Sequence, residues 1–327
     1  MTATRPERPP TRAEAKAGRK RLLVAGVLRG IGRHLCERLR HSFEIVGVDR
    51  GPAPRGHDDG VFDFVRRDLR RESMEDLFRD RPFDAIVHLA LAQRPQVGRL
   101  ARERRASNVL GTMRLLELAR DHGTGAVVLV STARVYGASA VAPCFLGEES
   151  PLEALDPRYE MADVAETDLW ASGFAYRHPE VRTVVLRPTL VVGPHGRDEW
   201  RDALHALLVP RALGFDPTVQ LLHEDDLVQA IELALARHEA RGAYNVAGQE
   251  TVPLSRVLAA SGRPRVPLPL VGARLALGAL RRVGLVGLNA SSLDFLRHSL
   301  VVSDRRARRE LGYAPRASLA EALAAVR

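Results

Sequence analysis

Glycines at positions 26, 30 and 32 stand between a short apolar run (residues 21–25) and a stretch of helical periodicity (residues 31–40). Glycine permits a tight turn and close approach of the backbone to a pyrophosphate, which then sits at the positive end of the following helix. A second apolar run (43–48) ends in Asp49, 17 residues after Gly32, where a carboxylate can accept hydrogen bonds from ribose hydroxyls. Gly26, Arg29, Gly30, Ile31 and Gly32 therefore form a candidate phosphate-binding turn, with Asp49 and Arg50 at the ribose. The chemistry this arrangement serves is the binding of a dinucleotide.

Other reactive side chains carry less. His223, Glu224, Asp225 and Asp226 have the composition of a metal site, but helix-cap chemistry accounts for the same run, and no metal is expected. Cys36 and Cys144 lie far apart in sequence and have neither CxxC nor metal spacing. His88 reads as a structural residue at the end of its strand, and His122 as the end of a helix ahead of Gly123.

The elements that must position these residues alternate. Short β-branched runs recur at 61–65, 85–89, 126–130 and 183–186, with helical patterns at 99–122 and 162–176 between and after them. Fully apolar strands alternating with helices predict a parallel sheet covered on both faces, a doubly wound α/β fold of the Rossmann type. Residues 21–193 read as this core. Residues 194–327 read as a small substrate cap interleaved with it, with strands near 219–222 and 243–246 expected to return to the core sheet. No internal repeat is present.

The net charge of +9 raises a nucleic-acid reading. Residues 1–20 hold six basic and two acidic residues and read as a disordered tail. The remaining surplus reads as solvated helix faces, with no basic, aromatic-interleaved stretch, so no nucleic-acid partner is expected. No stretch supplies the ~20 apolar residues of a membrane span, and no signal peptide is visible, which points to the cytoplasm. The most apolar region, 266–288, is broken by Arg274, Arg281 and Arg282. It reads as a cap helix, with a membrane-surface helix as the alternative.

A resemblance to a known family rests on a succession of short motifs. Asp68-Leu69, His88-Leu89-Ala90, Asn108 in NVLGT, the run Ser131 to Gly137, and Leu186-Arg187-Pro188 come first. Val192-Gly193-Pro194, Asp225-Asp226-Leu227, Tyr244-Asn245-Val246 and Glu310-Leu311-Gly312-Tyr313 follow. In this order they resemble the extended branch of the short-chain dehydrogenases/reductases, the NAD-dependent epimerase/dehydratase family, over residues 21 to about 325. The glycine spacing itself looks like the other branch of that superfamily, with Arg29 where the extended branch places glycine. The resemblance implies NAD held by the glycine turn, Asp49, Asp68, Leu69, Leu89, Ala90, Asn108 and Pro188, a small-molecule substrate such as a nucleotide-sugar, and a homodimer. Asp49 favours NAD, because a carboxylate repels a 2′-phosphate. Arg29 and Arg50 match basic residues that hold that phosphate in NADP-preferring relatives, so NADP stays open.

The family's chemistry uses a Ser or Thr, a Tyr that carries the proton, and a Lys four residues after the Tyr, whose charge lowers the phenol pKa from ~10. Thr132 matches the first and Tyr159 the second, and Asp163 stands at the lysine position. Shifting the alignment by one residue puts Arg158 and Ala162 there and rescues nothing, since Lys16 and Lys20 are the chain's only lysines. A carboxylate one helical turn from Tyr159 is expected to oppose phenolate formation. Arg134, next but one to Thr132, is the candidate replacement charge. In the 4,6-dehydratase subgroup an Asp-Glu pair follows the Thr. Ala133 and Arg134 occupy those places here and argue against that elimination. Two functions remain: an atypical enzyme using Thr132, Arg134 and Tyr159, or a non-catalytic dinucleotide-binding sensor or accessory protein.

Overall fold

The computed structural model describes residues 18–28, 30–53, 60–93, 96, 98–156, 161–196, 199–269 and 271–326. The N-terminal tail up to residue 17, Arg29 and Tyr159 lie outside the described residues.

Seven strands form the main sheet: β1 (Lys20–Ala25), β2 (Phe43–Asp49), β3 (Asp63–Arg66), β4 (Ala85–His88), β5 (Ala126–Val130), β6 (Arg182–Pro188) and, after three shorter strands, β10 (Gly242–Val246). Their order is β10-β6-β5-β4-β1-β2-β3, and every pairing is parallel. The run LLVA of β1 and all of β4, β5 and β6 are buried, as strands covered on both faces must be. One face is closed by the helices Gly32–Leu39 and Glu224–Ala236, through Leu35, Cys36, Val228 and Ile231. The other is closed by Ser73–Asp80, Gly98–Asp121 and Ala162–Arg177, through Phe78, Leu115, Val164 and Phe174. This is the doubly wound sheet expected from the sequence. The chain order reverses beside β1, so the crevice at the carboxyl ends of β1 and β4 is the place where such sheets bind ligands.

The three shorter strands are β7 (Leu190–Val192), β8 (Val209–Ala212) and β9 (Thr218–His223), and β11 (Thr251–Pro253) and β12 (Arg265–Leu268) follow β10. The structure corrects the expectation for residues 219–222. β9 does not return to the main sheet but lies between β11 and β7 in a three-stranded sheet, while β8 and β12 pair with each other. The four central residues of β9 are all buried, as they would be in a covered strand of either sheet, so the apolar run alone could not choose between them. A third apolar cluster, with Trp200, Leu204, Leu277 and Leu293, holds this cap together.

Candidate functional site

Gly26 follows β1 with φ of +85°, and a Cβ built there would lie 2.6 Å from both the N and the Cα of Ala90. Only glycine fits. A Cβ on Gly32 would lie 2.3 Å from the carbonyl oxygen of Val27, so the turn closes onto the helix Gly32–Leu39 with no room for a side chain. The Gly26 N–H donates to the carbonyl of Val48 (2.7 Å), and that of Leu89 to Ala25 (2.8 Å), which ties the turn to the ends of β2 and β4.

Asp49 ends β2. Its Oδ1 accepts from the N–H groups of Arg50 (2.7 Å) and Gly51 (3.2 Å). Its Oδ2 is buried and has no hydrogen-bond partner among the described residues. A buried carboxylate oxygen left this way is costly unless a ligand hydroxyl meets it. Asp49 lines a small cleft with Gly26, Arg50, Asp68, Leu69 and Ala90. Asp68 is engaged by Arg70, whose guanidinium lies 2.6 Å away and holds its carboxyl below the usual range. Arg67 lines the same cleft, its buried Nε without a hydrogen-bond partner among the described residues. Sequence reasoning missed it, and its place at the end of β3 was the available signal.

On the other side of the glycine turn lies a cavity of about 660 Å³. Gly30, Ile31, Leu89 and Pro188 line it from the core. Ser131, Thr132 and Arg134 enter from the end of β5, and Trp200, Phe295 and Leu300 enter from the cap. Thr132 is 5% exposed and caps the turn Ala133–Tyr136 by accepting the Arg134 N–H (3.3 Å). The hydroxyls of Ser131 and Thr189 are buried without a partner among the described residues, and both residues line this cavity. Arg134 crosses from core to cap, with its guanidinium 4.8 Å from the ring centre of Phe295. Thr132 and Arg134 thus share one cavity, and no described residue places a lysine in it. Lys20 opens β1 at the opposite, amino-terminal end of that strand, roughly 17 Å away.

Asp163 departs from the expectation drawn for it. It is buried on the helix Ala162–Arg177 and gripped by Arg104 of the helix Gly98–Asp121, with Nε donating to Oδ2 (3.0 Å) and Nη2 to Oδ1 (2.8 Å). Asn108 Nδ2 adds a third bond to Oδ2 (2.8 Å). The carboxylate is therefore not a bare repelling charge beside the tyrosine position, since a guanidinium answers it inside the same packed layer. Burial pushes the Asp163 carboxyl above its usual range, against the opposing pull of Arg104 and Asn108. Asn108 also bonds the N–H (2.9 Å) and carbonyl (3.1 Å) of Ala92 as well as Asp163, so it positions the loop after β4.

Beneath the cavity, the family motifs converge on a polar network. Tyr136 Oη donates to Asn245 Oδ1 and accepts from Arg187 Nη1 (both 2.8 Å), and Arg187 is paired with fully buried Asp168 at 2.6 Å. These bonds fasten the turn after β5 to β6, β10 and the helix Ala162–Arg177. Such a network is stable only when every member is satisfied. His88 is buried, bonded to Thr112 Oγ1 (2.8 Å) and to the N–H of Ala90 (3.2 Å), and burial lowers its pKa to about 4. His223 caps the helix Glu224–Ala236, Glu224 receives the N–H of His195 (2.9 Å), and Asp226 receives that of Arg316 (2.7 Å). No cluster of three metal-ligating side chains occurs among the described residues.

The model of the NAD dependent epimerase/dehydratase family matches residues 22–247. An uncharacterized protein of Mycobacterium tuberculosis (strain ATCC 25618 / H37Rv) is 31% identical over 311 residues, covering 93% of this chain and 82% of that protein. UDP-glucose 4-epimerase 1 of Oryza sativa subsp. japonica is 30% identical over 194 residues, 53% of this chain and 52% of that protein. Among solved structures, MoeE5 in complex with UDP-glucuronic acid and NAD matches with a TM-score of 0.71 at 26% identity, over 93% of this chain and 97% of that one. DesIV, a dTDP-glucose 4,6-dehydratase from Streptomyces venezuelae with NAD and TYD bound, matches with a TM-score of 0.70 at 26% identity, over 94% and 95%. The matched span runs from the first strand of the main sheet through its last, and the chain belongs to the NAD-dependent epimerase/dehydratase family, the extended branch of the short-chain dehydrogenases/reductases.

Proposed function

We propose that this protein binds NAD across the glycine turn and uses it on a hydroxyl or carbonyl group of a nucleotide-sugar. The observation that carries the reading is the partnerless Asp49 Oδ2 beside a Gly26 that tolerates no Cβ. An acceptor for ribose hydroxyls stands next to a backbone cradle for pyrophosphate, and the residues fit the dinucleotide. Gly26, Gly30, Ile31 and Gly32 would hold its phosphates, Asp49, Asp68 and Leu69 its adenosine half, and Leu89, Ala90 and Pro188 its nicotinamide half. Bound there, NAD supplies a hydride acceptor for a sugar carbinol.

The chain's own part is binding and proton handling. Thr132 Oγ1 and Ser131 Oγ present hydroxyls to the cavity, where they can orient a reacting oxygen. The Arg134 guanidinium offers only N–H donors, so its part is to hold an anionic or carbonyl oxygen electrostatically. Tyr159 is the proposed proton carrier. The Arg104–Asp163 pair keeps the helix that follows it docked without the family's lysine. Relatives named as UDP-glucose 4-epimerases and structures holding UDP-sugars support a nucleotide-sugar as the substrate class. The helices Gly98–Asp121 and Ala162–Arg177 pack together and leave Leu110, Leu169 and Tyr176 exposed, a surface suited to a homodimer.

A second reading is favoured by the Arg104–Asp163 pair itself: a buried ion pair at the lysine position suits a protein that binds NAD without turning substrate over. Incubation with NAD and UDP-glucose, followed by proton NMR of the sugar and absorbance of reduced nicotinamide, separates the two. Turnover that falls ~100-fold in Thr132→Val supports the enzyme. Tight NAD binding with no turnover on any of a panel of UDP- and dTDP-sugars leaves the sensor.

A further inference from the structure

Residues 251–293 carry six arginines and no acid, in a chain whose whole net charge is +9. The surplus outside the tail is therefore concentrated in the cap rather than spread along the core. The cap helix Ala273–Arg282 sits in the middle of this stretch. Its inner side is ordinary: Ala273 and Leu277 are buried in the cap's apolar cluster. Its outer side is not. Val271 is 92% exposed, Leu275 83% and Val283 69%, and together with exposed Ala279 they recur every four residues. A spacing of four keeps them on one face through and just beyond the helix.

This outward apolar stripe is bordered by Arg274 and Arg282, both exposed, with Arg281 one residue further round. Arg263 and Arg265 are exposed at the approach through β12. The nearest acid in sequence, Asp294, lies on the neighbouring turn Ala290–Leu296, where it stands 3.7 Å from Arg274. Scattered exposed apolar residues are normal, but a one-sided stripe within an arginine-rich segment that carries no acid of its own is a different pattern. Apolar side chains that enter the acyl boundary and guanidinium groups that meet phosphates are the two halves of interfacial helix binding. No described helix is long and apolar enough to cross a membrane, so contact would be with the surface.

We propose that the cap helix Ala273–Arg282, with Val271 and Val283 at its ends, docks this protein on an anionic lipid surface. The helix packs on the turn Ala290–Leu296, whose Phe295 lines the large cavity and carries Arg134. Docking would therefore bring the cap wall of the candidate site against the bilayer.

The test is co-sedimentation of the full chain with vesicles of phosphatidylcholine alone and of phosphatidylcholine mixed with phosphatidylglycerol. Binding is expected only to the mixed vesicles, weakening as salt is raised. Leu275→Glu should cut the partition at least tenfold and Arg282→Glu about fivefold, with melting temperatures unchanged because both positions are exposed. Val271→Glu repeats the measurement if Leu275→Glu fails to fold. Replacement of tail charges (Arg5→Gln, Arg8→Gln and Arg12→Gln together) should leave the partition within about twofold. No binding to the mixed vesicles overturns the proposal. So does binding that survives Leu275→Glu and Val271→Glu, or binding that is lost only with the tail charges. NAD titration of the same variants is independent of these outcomes.

Discussion

The glycine turn and the start of the helix Ala162–Arg177 lie at the same end of the sheet, yet they hold to the family pattern to different degrees. At the turn, the restraint is steric and backbone-made. Gly26 faces Ala90, Gly32 faces Val27, and neither allows a Cβ. At the helix the restraint is electrostatic. The lysine position holds Asp163, and Arg104 from the next helix supplies the matching charge. A backbone contact can be kept or lost but not relocated, whereas a charge can be answered from a different element. The comparison predicts that the two regions respond differently to substitution.

The largest effect is expected at the turn. Gly26→Val places a branched side chain on the Ala90 backbone at φ of +85°. It should abolish measurable NAD binding and cost about 3–5 kcal/mol in urea unfolding. Retained NAD affinity in a folded Gly26→Val protein would remove the steric half of the comparison.

Next comes the ion pair. Arg104→Met leaves a buried carboxylate without its cation and should cost about 3–4 kcal/mol at neutral pH. Burial already holds the Asp163 carboxyl above its usual range, and loss of Arg104 raises it further. The folded variant then binds a proton that the unfolded chain, at ~3.9, does not. Its deficit should therefore grow as pH rises through the raised Asp163 pKa and shrink below it. Unfolding curves across mildly acidic to alkaline pH check the sign, and a deficit independent of pH would place the loss in packing instead. Asp163→Lys alone sets a second buried cation against Arg104 and should destabilise to a similar degree. Paired with Arg104→Leu it should recover most of the loss, which makes the pair, and not Asp163 singly, the unit to test for a restored tyrosine relay.

Smaller still is the change at the ribose. Asp49→Asn keeps the size of the side chain and one acceptor but loses the charge. Calorimetry should show NAD affinity falling about ten- to a hundredfold while NADP weakens less, since the repelled 2′-phosphate gains. Equal losses for both would mean that Asp49 faces neither ribose.

What the sequence disclosed and what it hid follow the same division. The turn was legible because strand, glycines and helix are contiguous, and the parallel sheet follows from apolar runs alternating with helical ones, although the run at 219–222 was wrongly assigned to it. The Arg104–Asp163 pair was not, because its partners are 59 residues apart and nothing local marks one of many arginines as the buried one. The same holds for Tyr136, Arg187 and Asn245, whose motifs were visible as motifs but whose mutual bonds belong to the tertiary fold. Thr132 and Arg134 were found together because a single residue separates them, whereas Phe295, which receives the Arg134 guanidinium, lies in the cap and carried no signal.

The most direct test of the separation between the two regions is one calorimetric series, titrating NAD into the native protein, Asp49→Asn, and the paired variant Arg104→Met with Asp163→Leu. The account predicts saturable binding to the native protein, at least tenfold weaker binding to Asp49→Asn, and affinity within about threefold of native for the paired variant. Absence of NAD binding to the native protein, or a loss in the paired variant as large as that in Asp49→Asn, would contradict it.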